Sequence, residues 1–201
     1  HLPVPRLTTL SQLLHAETLL PAAIEFVDIA GLDKGASAGE GLGNQFLSHI
    51  REVHAIVQVV RCFENGDIHH VSGTIDPVRD IEVINTELVL ADLASLQKRR
   101  DRLQKEVRAG SKTAKAESAV IEKLLPHLDS GKPAITAELS DDEKIVALDL
   151  FLLTSKPTLF ACNVAETDLG PIAKADESHA AMQHVRTVES FARSHFGSEA
   201  V

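Results

Sequence analysis

The sequence predicts an α/β protein with a mostly parallel sheet, interrupted by an inserted antiparallel helical hairpin. Three observations predict it. Short apolar runs at 22–28 (AAIEFVD), 54–61 (HAIVQVVR) and 158–163 (TLFACN) read as buried strands, each rich in Val, Ile, Leu or Phe and each closed by a polar residue. Helical patterns around 44–52 and over 141–153 alternate with those runs, the order expected of parallel strands joined by helical crossovers. The stretch 81–128 differs in character, with two amphipathic arms broken at Gly110-Ser111-Lys112.

Each element follows from its residues. Residues 1–6 (HLPVPR) lack the charged-then-apolar layout of a signal peptide. A glycine-rich loop at 31–43 separates the first apolar run from the helix at 44–52. The first hairpin arm carries Ile84, Leu88, Ala91, Leu93, Ala94 or Leu96, Leu103 and Val107 among many charges, and the second carries Ala119, Val120, Leu124 and Leu125. Pro126 and Gly131-Lys132-Pro133 are expected to end that arm. A helix over 177–195 follows the third run, and 199–201 reads as the opening of one more strand. The expected organisation is therefore a body at 1–80, a coiled-coil-like hairpin insertion at 81–133 standing off the sheet, and the rest of the body at 134–201.

Composition narrows the function classes. A chain of 201 residues holds one core, or one core plus a small module. Its seven Phe and no Trp or Tyr make that core aliphatic. No run of 18 apolar residues occurs, so no membrane partner is expected. The net charge of −9 speaks against a surface coated with phosphate-seeking residues. Yet between 98 and 115 lie Lys98, Arg99, Arg100, Arg102, Lys105, Arg108, Lys112 and Lys115 against Asp101 and Glu106, a local net of +6. That run has two readings: a ribosome- or RNA-binding tip, or a solvated helix face balanced by Glu partners. Cys62 and Cys162 read as two reduced core thiols of a cytosolic protein. The ten histidines show no metal-ligand spacing.

In a parallel sheet, ligands gather at the carboxyl ends of the strands. Those ends carry Asp28, the segment Arg61-Cys62-Phe63, and Asn163. Asp28-Ile29-Ala30-Gly31 is the strongest local signal. A carboxylate at a strand end can hold Mg²⁺ through water, and a glycine N–H three residues on can meet a γ-phosphate with no side chain in the way.

The segments EFVDIAGLDKGASAGEGLGNQFLSHIREVHAIVQVVRCFE (25–64), HVSGTIDPVRDIEVINTELVLADL (70–93) and LTSKPTLFACNVAE (153–166) resemble the YchF / Obg-like ATPase family of P-loop NTPases. The resemblance implies a Ras-like sheet with an inserted helical hairpin, and an Mg²⁺-dependent, ribosome-associated molecular switch in the cytoplasm that hydrolyses ATP and also GTP. Asp28 and Gly31 match its Walker B and switch II positions. Leu32 stands where Ras-type GTPases keep a water-orienting Gln, so hydrolysis is expected to be slow. Asn163-Val164-Ala165-Glu166 matches the base-reading motif. Glu166 for Asp and Val164 for Lys weaken guanine selection, so ATP is expected to be accepted at least as well as GTP. Phe63 matches a position near the adenine; ordinary core packing is the competing reading.

The departures from the family pattern carry an expectation of their own. No G-x-x-x-x-G-K-[ST] occurs; Gly110-Ser111-Lys112-Thr113 follows no strand. The chain is expected to be a piece lacking the P-loop, the first strand and switch I ahead of His1, and a TGS domain beyond Val201. By itself it is expected to be inactive. A second class of function stays open, an RNA- or ribosome-binding module acting through the basic hairpin tip.

Overall fold

The computed structural model describes residues 5–15, 18, 23–29, 42–63, 75–196 and 200–201. The chain divides into two compact units, His1–Ala30 and Gly31–Val201.

The first unit contains helix α1 (Pro5–Leu14). Residues 23–29 form neither helix nor strand, which corrects the strand expected at 22–28. The physical reason is pairing: a strand exists through its ladder, and this segment has no ladder partner among the described residues. Its apolar side chains stay in water, with Ile24 66 %, Phe26 77 % and Val27 57 % exposed.

The second unit is built on two parallel strands, β1 (Ile56–Arg61) and β2 (Thr158–Asn163), in register from Ile56 opposite Thr158 to Arg61 opposite Asn163. Ala200 bridges Phe160 in the parallel sense from the far side of β2, and Val201 N–H donates to Phe160 O at 2.8 Å, so the strand expected at 199–201 does begin there. The strands are less buried than expected. Val60 and Phe160 point into a core with Cys62, Ile81, Val188 and Ala192, while Val57 and Val59 on the opposite face are 44 % and 68 % exposed. Helices α3 (Pro77–Arg108) and α7 (Ala180–Phe196) contact the strand pair, and no helix covers Val57 and Val59 among the described residues.

Helix α2 (Leu42–Glu52) leads into β1. The hairpin consists of α3 (Pro77–Arg108) and α4 (Lys112–Asp129). The first arm starts at Pro77, before Ile81, because Asp76 caps it by accepting from Arg79 N–H at 3.1 Å and proline suits the first helical position. Gly110 makes the turn with φ 89°, a conformation that costs glycine nothing. Ser111 then caps α4 by accepting from Ala114 N–H at 3.3 Å. Val89, Leu96 and Leu103 of α3 meet Ala114, Ile121, Leu124 and Leu128 of α4 in a second core. Their seven-residue spacing keeps one stripe of each helix on its partner. Pro126 does not end α4, which runs on to Asp129 and stops before Gly131 at φ 80°. Helix α5 (Asp141–Leu148) begins with a reciprocal capping box, Ser140 with Glu143, and ends before residue 153. The short α6 (Leu169–Ala173) and the long α7 (Ala180–Phe196) complete the unit.

One buried carboxylate fastens the hairpin to the sheet. Asp92 of α3 is 0 % exposed. It accepts from Leu153 N–H at 2.9 Å, Thr154 N–H at 2.8 Å and Thr154 Oγ1–H at 2.8 Å. Thr154 Oγ1 in turn accepts from Ala134 N–H at 2.9 Å, just past the second arm.

Candidate functional site

The carboxyl ends of β1 and β2 lie side by side and carry Phe63, Asn163, Val164 and Glu166 of the residues singled out from the sequence. Cys62 N–H donates to Asn163 O at 2.8 Å, which extends the ladder one step past β1. The Arg61 guanidinium sits over the Phe63 ring at 4.7 Å, and its Nε–H donates to Phe63 O at 3.2 Å. Phe63 is thus half-buried on the surface side of the turn, backed by a cation on one face, and it is not among the residues of the core beneath β1.

Asn163 is exposed at the last position of β2, and its side-chain amide makes no hydrogen bond among the described residues. An amide offers one acceptor and two donors, the complement of a purine edge. Val164 turns inward and packs against the core of Phe160 and Val188. Ala165 then opens a single 3-10 turn, Glu166–Asp168, whose exposed Glu166 follows Asn163 by three residues. The packed valine therefore sets the spacing of the two polar residues on either side of it.

Asp28 is exposed in the first unit. Gly31 and Leu32 lie outside the described residues. No group of three or more His, Cys, Asp or Glu side chains converges among the described residues. One carboxylate is too few for a protein-made Mg²⁺ site, though it suits an ion that also binds substrate phosphates.

The basic run occupies the far end of the hairpin. Arg99 pairs with Glu117, which raises its guanidinium pKa, and Arg100 lies 3.5 Å from Asp101. Lys98, Arg102, Lys105, Arg108, Lys112 and Lys115 are exposed and make no ion pair among the described residues. Two open hollows of about 360 and 460 Å³ run along α7, lined by Arg186, Ser190 and Ser194, and neither includes Phe63 or Asn163.

Sequence reasoning placed Arg61 at a strand end without a role and passed over Asp92 and Thr154. The signal for Asp92 was present: a carboxylate inside the apolar stripe between Leu88 and Leu96.

A parallel strand pair with polar strand ends, interrupted between its strands by a helical hairpin, defines a P-loop-NTPase-type α/β fold carrying a helical insertion. No protein-family model matches the chain. Curated relatives do. The ribosome-binding ATPase YchF of Escherichia coli O157:H7 is 53 % identical over 165 residues, 82 % of this chain and 46 % of that protein. The ribosome-binding ATPase YchF of Bacillus subtilis strain 168 is 47 % identical over 167 residues, 83 % of this chain and 46 % of that protein. The solved structure of the Schizosaccharomyces pombe YchF GTPase matches with a TM-score of 0.65 and 36 % identity, over 90 % of this chain and 51 % of that one. The chain belongs to the YchF family. It spans about half the length of the curated relatives it matches, 46 %.

Proposed function

We propose that this chain is the switch II, base-reading and hairpin portion of a cytoplasmic, ribosome-associated purine nucleotide hydrolase that takes ATP at least as readily as GTP. The observation that carries the reading is the unpaired Asn163 amide at the carboxyl end of β2, three residues before Glu166 and beside Phe63. Asn163 reads a purine edge. Glu166 replaces the shorter Asp that grips guanine, and the packed Val164 offers no cation to hold it. Phe63 supplies an apolar face for the adenine. Asp28 would hold Mg²⁺ through water, and the ion would neutralise phosphate charge. Gly31 donates its N–H to the γ-phosphate. Leu32 cannot orient water, so turnover is slow. No phosphate-binding loop motif occurs in the 201 residues, so this polypeptide alone turns over no ATP.

The test supplies a P-loop segment ahead of His1 and titrates the product with fluorescent ATP and GTP. ATP should bind at least as tightly, Asp28→Ala should abolish turnover, and Glu166→Asp with Val164→Lys should move preference toward GTP. Strong GTP selectivity before any substitution overturns the assignment of Asn163–Glu166. The second reading, RNA or ribosome binding through the hairpin tip, is favoured by the six cations without carboxylate partners. It is compatible with the first.

A further inference from the structure

Two cysteines a hundred residues apart in sequence meet at the purine end of the strand pair. The register sets Val60 opposite Cys162, and Cys62 lies two residues further along β1's course. By strand alternation both side chains fall on the face covered by α3 and α7, among Phe160, Ile81 and Val188. The two sulfurs are neighbours on that face, at diagonal positions of the parallel pair. Their exposures differ: Cys62 is 0 % exposed and Cys162 is only half-buried. The contact holds the Cys162 thiol below the ordinary thiol range, while the same contact and then burial push Cys62 up. The pair is asymmetric, an accessible sulfur with a stabilised thiolate beside a sheltered thiol.

We propose that Cys162 is a peroxide-sensitive modification site with Cys62 as its resolving thiol, closing a reversible cross-strand disulfide next to Asn163 and Phe63. The Cys162 thiolate attacks one oxygen of hydrogen peroxide, the O–O bond breaks, and hydroxide leaves. The sulfur is oxidised to sulfenic acid as the peroxide is reduced. Cys62 gives its proton to the departing oxygen and attacks the sulfenic sulfur; the S–O bond breaks and water leaves. Two thiols and one peroxide become one disulfide and two waters.

The geometry gives the bond a consequence. Diagonal neighbours in a sheet stand roughly 7–8 Å apart at Cα, beyond the span of about 4.4–6.8 Å that a disulfide accepts. Closure therefore drags Cys62 or Cys162 off the ladder, and the next residue on each strand is Phe63 or Asn163. A bond closed under strain is also readily reduced. The effect on purine binding rests on the base-reading assignment of Asn163; the covalent step does not.

The experiment treats the 201-residue chain with hydrogen peroxide and follows intact mass and peptide maps. Wild type should become about 2 Da lighter, two hydrogens lost, with one intrachain Cys62–Cys162 peptide pair that dithiothreitol reopens. Cys62→Ala should stop at a sulfenic acid on Cys162 that dimedone traps. Cys162→Ser should consume peroxide about ten-fold more slowly, because a sheltered thiol with a raised pKa is a poor nucleophile. Wild-type peroxide consumption by Cys162→Ser, disulfides only between chains, or sulfinic acid without a disulfide would each overturn the proposal. In the P-loop-supplied protein, a disulfide that forms yet leaves ATP binding unchanged upholds the modification site and refutes the placement of Asn163 at the base.

Discussion

Replacing Asp92 by Ala removes three hydrogen bonds at 2.8–2.9 Å from a side chain that is fully buried. It leaves the Leu153 and Thr154 N–H groups without their acceptor. Each stranded buried donor costs about 1–3 kcal/mol, and the hydroxyl of Thr154 can rotate to find another partner. The expected loss is about 3–5 kcal/mol, a large fraction of the roughly 5–15 kcal/mol that holds a domain together. Urea unfolding followed by far-ultraviolet circular dichroism reads this, since the chain has no Trp or Tyr for fluorescence. With a denaturant slope of about 2 kcal/mol per molar, the midpoint should fall by about 1.5–2.5 M. Thr154→Val removes the hydroxyl that donates to Asp92 and accepts from Ala134. Because the two share one network, the double variant should lose less than the sum of the single losses. A midpoint shift under about 0.5 M for Asp92→Ala, or strict additivity with Thr154→Val, would refute the claim that this carboxylate fastens the hairpin to the sheet.

The same group gives a pH dependence of definite sign. Burial raises the Asp92 pKa against the opposing pull of its three donors, so the folded state holds this proton more tightly than the unfolded one. Wild type should lose stability relative to Asp92→Asn as pH rises from the ordinary carboxylate value toward the raised one, and a penalty for Asn that grows with pH would contradict it. Gly110→Ala places a Cβ at φ 89° with nothing within 4 Å to obstruct it, so the cost is backbone conformation alone, about 1 kcal/mol; a larger loss in urea unfolding would mean the turn makes interactions beyond its backbone. Charge reversal at Arg102, Lys105, Arg108 and Lys112 should weaken RNA or ribosome binding and lower the salt slope by about one for each phosphate no longer neutralised, with the melting temperature little changed. Unaltered affinity at moderate salt would leave these residues a solvated face.

The legible parts of the fold are those whose signals are local. The apolar run of β2, bounded by polar residues, gave its bounds correctly, as did the turn at Gly110. The early start of α3 was also written in the residues, since Asp76-Pro77 is a cap followed by a first-turn proline. What failed depended on partners. The run at 22–28 has strand composition, but composition does not supply a ladder, and Phe26 stays in water. Val57 and Val59 read as buried because apolar runs usually have cover on both faces, which these lack among the described residues. Asp92 stands inside the apolar stripe between Leu88 and Leu96, but nothing in the sequence says that Leu153 and Thr154 will bring it three donors from 61 and 62 positions away. The meeting of Cys62 with Cys162 is a matter of register, and register is tertiary information.

Polar fastenings and functional candidates divide between the two ends of the strand pair. At the amino ends, Lys156 Nζ donates to Arg51 O at 3.2 Å and Val53 O at 2.5 Å, tying the exit of α2 to the entry of β2. One step earlier Thr154 joins α3 through Asp92 and the return from α4 through Ala134 and Ile135, whose N–H donates to Thr154 O at 3.0 Å. The carboxyl ends hold Arg61, Phe63, Asn163 and the two thiols. Six residues of β2, about 20 Å of strand, separate the two ends. A hydrogen-bonded strand is stiff along its length, so a tilt of the hairpin at Asp92 displaces β2 as a unit and Asn163 with it. The hairpin and the carboxyl end of β2, proposed above to read the base, are thereby joined in part through this carboxylate, alongside the packing of α3 on β1 and α7. Asp92→Asn in the P-loop-supplied protein should loosen that joint while keeping the side chain's volume. The expected result is an ATP affinity that no longer responds when ribosomes occupy the tip; a response equal to wild type would mean that the two ends communicate by another route.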